Sequence, residues 1–444
     1  MSHSPLPEAF TAAIRKRLGE EADAFLRMCD EPPVRALRLD PCKPLPGEIL
    51  SILSCDPPHG GDPVPWAEGA YFIGPDCAAG SHPLHEAGAF YIQEPSAMVP
   101  AAVLDARPGE RVLDLCAAPG GKTTQLAASM RDAGLLVANE PVAERARVLS
   151  RNIERMGMTN TLVVSAWPHE LADRFPGAFD AVLADAPCSG EGMFRRVPEA
   201  RLEWTPDTPA RCAARQAEIL DAAARMVRKG GRMVYATCTL NTLENEDTVR
   251  AFLQRHPDFS LKAFSLPCVD APEGMWTAWL HRFRGEGQFC ALLVRAGGEP
   301  LPVWQRKGLT DPPRDAVRQM REIFPEAPEP TGMLEETLVC LPDLPDVRGL
   351  RILRCGLHLG ETRGKVFRPD HAWAVSAKPP AVPRIPVDTG DALRYQAGET
   401  LVCGADTKGW LMPTLRGLPL GWGKAAGGLI KNHYPKGLRR PLRT

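Results

Sequence analysis

The stretch Leu113–Ala127, LDLCAAPGGKTTQLA, reads as an apolar strand that runs into a turn of small residues and then into a helix. In a parallel sheet such a junction is where ligands bind, and Gly120 and Gly121 let the backbone approach one closely. A phosphate-binding loop, G-x-x-x-x-G-K-[ST], is matched at Gly121, Lys122 and Thr123, but Cys116 stands where its first glycine is required. The pattern G-x-G-x-x-G is absent, which disfavours NAD and FAD. A nucleoside ligand, without phosphates to cradle, is a class that this loop leaves open.

Outward from this junction, RVLDLC, LLVAN, TLVVS, FDAVLAD, RMVYAT and FCALLV are short apolar runs, with helical stretches near 122–131, 142–157, 213–228 and 243–255 between most of them. Strands alternating with helices predict an open, mostly parallel α/β sheet over residues 101–298. Residues 1–100 start with an amphipathic helix pattern (Phe10, Ile14, Leu18, Phe25) and turn rich in Pro and Gly through PPHGGDPVPW, as expected of a small α+β region with long loops. Residues 299–380 read as a linker and connecting segment. Residues 381–444 read as a small β-rich, basic domain.

At 444 residues the chain is long enough for two to four domains. Its net charge of -1 hides an asymmetry: Arg351–Thr444 carries 16 Lys and Arg against 6 Asp and Glu. A basic end on a near-neutral chain predicts a polyanionic partner, nucleic acid first among them. No run approaches the ~18 apolar residues of a membrane helix, and the start lacks the pattern of an export signal, so a soluble cytoplasmic protein without a membrane partner is expected. The thirteen cysteines are scattered singly, without C-x-x-C. That spacing argues against structural zinc, and against a disulfide framework in favour of reduced thiols.

Three further positions lie where strand ends meet a ligand edge. Glu140, closing LLVANEP, can accept hydrogen bonds from both hydroxyls of a ribose, or can favour the start of the helix beside Pro141. Asp185 and Cys188 end the strand FDAVLAD, and Cys238 ends RMVYAT. In a parallel sheet both thiols then face one pocket, although Cys188 or Cys238 could each be packing, and Asn241 with Glu244 resembles a capping pair.

CAAPGGKT, DAPCSGEG and ATCTLNTLENE occur in this order and resemble the three strongest motifs of the Nop/Sun family of RNA (cytosine-5)-methyltransferases. With YIQEPSA at 91–97 and HRFRGEGQF at 281–289 the resemblance covers about residues 90–296. The ending GWGK...LIKNHYPKGLRR extends it to the bacterial small-subunit rRNA members of F type. The resemblance implies a Rossmann-like class I core that uses S-adenosylmethionine, and a C-terminal PUA-like RNA-binding domain. It assigns Cys238 as nucleophile, Cys188 to product release and Asp185 to cytosine N3. It places Cys116, Ala117, Ala118, Pro119, Gly120, Gly121, Lys122, Glu140 and Asp185 around the cofactor.

Chemistry gives these residue types a reason. Carbon 5 of cytosine is too weak a nucleophile to take a methyl group until a thiolate adds to carbon 6, and covalent catalysis splits the hard step in two. A carboxyl in a partly desolvated cleft can share a proton with N3 if its pKa is raised. One departure stands out. Many relatives carry an aspartate beside the adenine after the third strand, where this chain has SAWPHELAD, so adenine is expected to be held by backbone groups or packing. Arg195 and Arg196 are candidate phosphate contacts. The expected activity is methylation of cytidine C5 in structured RNA, 16S rRNA or the small ribosomal subunit foremost, by a monomer. A tRNA methyltransferase of the same chemistry and a non-catalytic ribosome-assembly factor are the alternatives.

Overall fold

The run Val112–Leu115 has no exposed side chain, which is what a strand sandwiched on both faces requires. In the computed structural model, which describes residues 4–43, 47, 49–53, 61–75, 77–364 and 366–441, it lies in the middle of a nine-stranded sheet. The strands are β1 (Arg111–Asp114), β2 (Leu135–Asn139), β3 (Thr161–Val164), β4 (Phe179–Asp185), β5 (Val227–Thr237), β6 (Phe259–Leu261), β7 (Met275–Ala278), β8 (Gln288–Arg295) and β9 (Ile352–Cys355). Their order is β7-β8-β5-β4-β1-β2-β3-β9, with β6 beside β8. The five strands from β3 to β5 are parallel, and β8 and β9 join antiparallel. The helices α1 (Gly121–Ser129), α2 (Ala143–Arg155), α3 (Pro168–Arg174), α4 (Thr208–Met226) and α5 (Glu246–Arg255) connect them.

Alternation along each strand explains the two layers. Leu113, Val137, Leu162 and Val182 face Leu171, Phe175 and Leu220 of α3, its end and α4, whereas Val112, Leu136 and Val163 face Leu126, Leu149 and Ile153 of α1 and α2. The chain leaves β1 toward β2 on one side and returns to β4 on the other. Beyond the carboxyl ends of β1 and β4 the sheet therefore opens a crevice, the place where doubly wound folds bind ligands. The expected α/β core is thus present, and each of the six apolar runs forms a strand.

Helices Glu8–Leu18 and Ala22–Met28 bury Phe10, Ile14 and Phe25 against Phe194, Leu240 and Leu280, so the first helix pair covers the loops after β4 and β5. Full burial of such a ring contributes roughly 1.5–3 kcal/mol. The antiparallel strands Arg35–Leu39, Ala70–Ile73 and Phe90–Gln93 follow. Of the stretch PPHGGDPVPW, residues 57–60 lie outside the described residues.

Residues 299–380, expected as a linker and connecting segment, hold the helix Arg314–Ile323 and a four-stranded antiparallel sheet, Gly332–Leu334, Thr337–Cys340, Leu357–Arg363 and Val366–Pro369. Met320, Phe324, Leu338, Phe367 and Trp373 form a core with Met412 and Trp422 of the last residues, and β9 extends the central sheet from this segment. The last residues form a six-stranded sheet around Gly409–Leu415 with one helix, Thr389–Ala397. Tyr395, Leu411, Leu420 and Tyr434 of that domain share a core with Leu37, Leu84 and Phe90 of the N-terminal region.

Among the described residues no helix is long and apolar enough to cross a membrane. Eleven described cysteines are free thiols. Cys77 is disulfide-bonded, so the expectation of reduced thiols needs correction at that position.

Candidate active site

The loops after β1, β2, β3, β4 and β5 meet at the crevice. The first, Leu115–Gly120, is fixed from both sides: Ala117 N–H donates to Asn139 O at 2.8 Å, and the Asn139 amide donates to Leu115 O at 3.0 Å while accepting from Ala166 N–H at 3.1 Å. Helix α2 holds the loop's outer carbonyls, with Arg145 on Ala118 O at 3.2 Å and Asn152 on Pro119 O at 2.9 Å. Beneath it, burial, opposed by the Thr123 hydroxyl at 2.7 Å and reinforced by the charge of Asp185, pushes Asp114 up to about 7.

The crevice encloses about 830 Å³ and is lined by Cys116, Ala118, Pro119, Lys122, Glu140, Asp185, Cys188 and Cys238 among others. Ala117, Gly120 and Gly121 do not line it. Their backbone shapes the loop from behind. A Cβ on Gly120, whose φ is +112°, would come within 3.2 Å of Leu149, and one on Gly121 within 3.3 Å of Tyr91 and Gln93. These glycines permit close packing of α1 against α2 and the N-terminal strands.

Glu140 lies at one end, buried, with Oε1 accepting from Val142 N–H at 3.0 Å and Oε2 3.3 Å from Arg145. It caps the turn into α2 and also lines the cleft. Beside it stands Trp167, 57 % exposed, an apolar surface in the segment that lacks the relatives' aspartate. The donor set fits an adenosyl ligand: a carboxyl for ribose hydroxyls, an exposed ring for adenine and backbone groups of a tight loop.

At the other end Lys122 Nζ donates to Asp185 Oδ2 at 2.7 Å. Burial disfavours the Lys122 charge, but the charge and hydrogen bond of Asp185 outweigh it and hold the ammonium above its usual pKa, with Cys238 adding to the effect. Cys188 Sγ and Cys238 Sγ are 3.2 Å apart, and Cys238 N–H points at Cys188 Sγ at 3.3 Å. The hydrogen bond with Cys238, with burial adding to it, keeps the Cys188 thiol protonated well above the usual range.

What brings the two thiols together is Glu244. Its buried carboxyl accepts from Ser189 N–H at 2.9 Å, Gln216 at 2.8 Å, Asn241 at 2.7 Å and the Ser189 hydroxyl, so one side chain ties the loop after β4, helix α4 and the loop after β5. The Asn241–Glu244 pair therefore does more than the capping role read from the sequence, and the helix starts only at Glu246. Glu244→Gln keeps the shape but turns an amide group toward donors. Each orphaned donor costs about 1–3 kcal/mol. A lower thermal midpoint is expected, checked by calorimetry, and an unchanged midpoint would remove Glu244 from this role.

Arg195 is not a phosphate contact: it is buried, with Nε on Glu286 Oε2 at 2.9 Å and Nη2 on Gly285 O at 2.7 Å. Glu94 reaches the same loop, accepting from Glu286 N–H at 2.8 Å. These bonds explain why YIQEPSA and HRFRGEGQF belong with the site. A Cβ on Gly192 would lie 2.4 Å from Gly287 O, so the two Gly-Glu-Gly turns touch through bare backbone. Asn139, Gln216 and Trp167 went unselected in the sequence, since a lone polar or aromatic residue carries no pattern.

Residues 101–294 match the family described as 16S rRNA methyltransferase RsmB/F. Residues 6–95 match the N-terminal domain of 16S rRNA methyltransferase RsmF, 320–376 its first C-terminal domain and 382–440 its PUA domain. The chain is 33 % identical to ribosomal RNA small subunit methyltransferase F of Klebsiella pneumoniae over 98 % of its length and 96 % of the relative's. It is 34 % identical to the Cronobacter sakazakii protein of the same name, with the same coverage. A methyltransferase homolog protein from Pyrococcus horikoshii superposes with a TM-score of 0.56 at 27 % identity, over 65 % of this chain and 95 % of that one.

Proposed function

The chain belongs to the ribosomal RNA small subunit methyltransferase F family, and from that membership we propose that it moves a methyl group from S-adenosylmethionine to carbon 5 of a cytidine in 16S rRNA, as a cytoplasmic monomer, with Cys238 as nucleophile. The observation that carries this reading is the pair of thiols 3.2 Å apart at one end of the crevice, with the Glu140 carboxyl at its other end. The bound donor supplies an electrophilic methyl on its sulfonium sulfur. Glu140 binds the ribose, Trp167 covers the adenine, and Cys116, Ala118 and Pro119 form the wall between them and Asp185.

Cys238 adds as thiolate to carbon 6, and the electron pair displaced from the 5,6 double bond makes carbon 5 nucleophilic. The Lys122–Asp185 pair faces N3 and shares a proton with it as negative charge develops there. After carbon 5 is methylated a solvent water beside Cys188 takes its proton, the C–H electron pair re-forms the 5,6 double bond and the Cys238–C6 bond breaks, its electron pair returning to the Cys238 sulfur. The target must be turned out of its stack, at a cost of a few kcal/mol, and the basic C-terminal domain offsets that cost with phosphate contacts.

Purified protein incubated with labelled S-adenosylmethionine is expected to label 16S rRNA at cytidine C5, read by bisulfite sequencing. Labelling of tRNA instead would overturn the substrate, and no transfer to either RNA would overturn the activity.

A further inference from the structure

Among the described residues, one buried side chain lining the crevice has a polar atom without a hydrogen-bond partner: Gln288, 2 % exposed, whose Nε2 is bare. The other buried charged groups of the wall are engaged. Glu94 is held by Ser96 and Glu286, Glu140 by Val142 and Arg145, Lys122 by Asp185. A bare amide N–H in such a place is destabilising unless something arrives to accept from it.

Gln288 is the first residue of β8, and the next residue, Phe289, pairs with Thr237, the residue before Cys238. Gln288 therefore flanks the nucleophile from the adjacent strand, and neighbouring strands are about 4.8 Å apart. In cytosine, C2 lies across N1 from C6, so its carbonyl oxygen is displaced sideways from the atom that Cys238 attacks. Of the two ring acceptors, N3 faces Asp185. O2 is the one left for a donor beside the thiol.

We infer that Gln288 recognises the flipped cytosine by donating Nε2–H to its O2, and thereby stabilises the charge that addition of Cys238 to C6 pushes onto the N3–C2–O2 edge. The assignment rests on the reading of Cys238 as the nucleophile. A donor aimed at an atom that gains charge in the transition state acts on the chemical step more than on binding.

The test uses the full chain with 16S rRNA transcripts, free or assembled into small subunits, made with cytidine or with 2-thiocytidine, whose sulfur is a poor acceptor. Gln288→Met removes the donor at similar length, and Gln288→Glu keeps the shape without it. Both variants are expected to bind S-adenosylmethionine within twofold of wild type, which also reports that they are folded, and to lose at least about tenfold in single-turnover rate on cytidine RNA. The wild type is expected to slow about tenfold on 2-thiocytidine RNA, and Gln288→Met to show no further loss there. A Gln288→Met rate within twofold of wild type, or a thio effect as large in the variant as in the wild type, would overturn the inference. Failure of the underlying reading is separate: it shows as methyl transfer by Cys238→Ala.

Discussion

Cys238→Ala protein is expected to bind S-adenosylmethionine as the wild type does and to transfer no methyl group above background. The thiol is partly exposed in the crevice and is no part of either core layer, so truncation opens no large cavity and the crevice keeps its walls. What disappears is the bond to C6, without which carbon 5 has no enamine electrons to offer. Loss of a nucleophile that works within a set of coupled groups has cost about 10⁶-fold in protease turnover, and a fall of at least about 10⁴-fold is expected here. Calorimetric binding beside a labelled-methyl assay separates the two effects. Residual turnover within tenfold of wild type would remove Cys238 from the nucleophile's role.

Cys188→Ala is expected to do the opposite: methyl transfer to occur once and the product to stay attached. Addition and methylation need only Cys238, the Lys122–Asp185 pair and the donor. Release needs the C5 proton taken away, and Cys188 stands within 3.2 Å of the sulfur that must leave. The variant should therefore accumulate a protein–RNA band that survives denaturant, absent from Cys238→Ala and from the double variant. If Cys188→Ala turns over normally and leaves no band, its thiol is packing against Cys238 and nothing more.

The core was legible because its strands are sandwiched, and sandwiched strands announce themselves as apolar runs: Val112–Leu115, Leu135–Val137 and Val182–Ala184 could hardly be anything else. Cys188 and Cys238 were legible through their place at strand ends. Residues 299–380 were not, because short strands between Pro and Gly give little periodicity. The pairing of β9 with β3, nearly 190 residues earlier, leaves no local mark at all. Glu244 looked like part of a cap and Arg195 like a surface arginine, since burial belongs to the partners: Gln216 and Ser189 for one, Glu286 for the other. Gln288 was silent for the same reason. Its meaning lies in a hydrogen bond it does not make.

The shared core between the two ends of the chain has a consequence for how the protein is made. Leu37 and Phe90 leave the ribosome about 320 residues or more ahead of Leu411, Leu420 and Tyr434, which cover them. At roughly 5–20 residues per second that apolar face waits on the order of 20–70 s uncovered. During that interval the apolar flank is open to chaperones, and a chain cut before Leu411 keeps the methyltransferase core with an uncovered, aggregation-prone flank rather than being merely a weaker RNA binder.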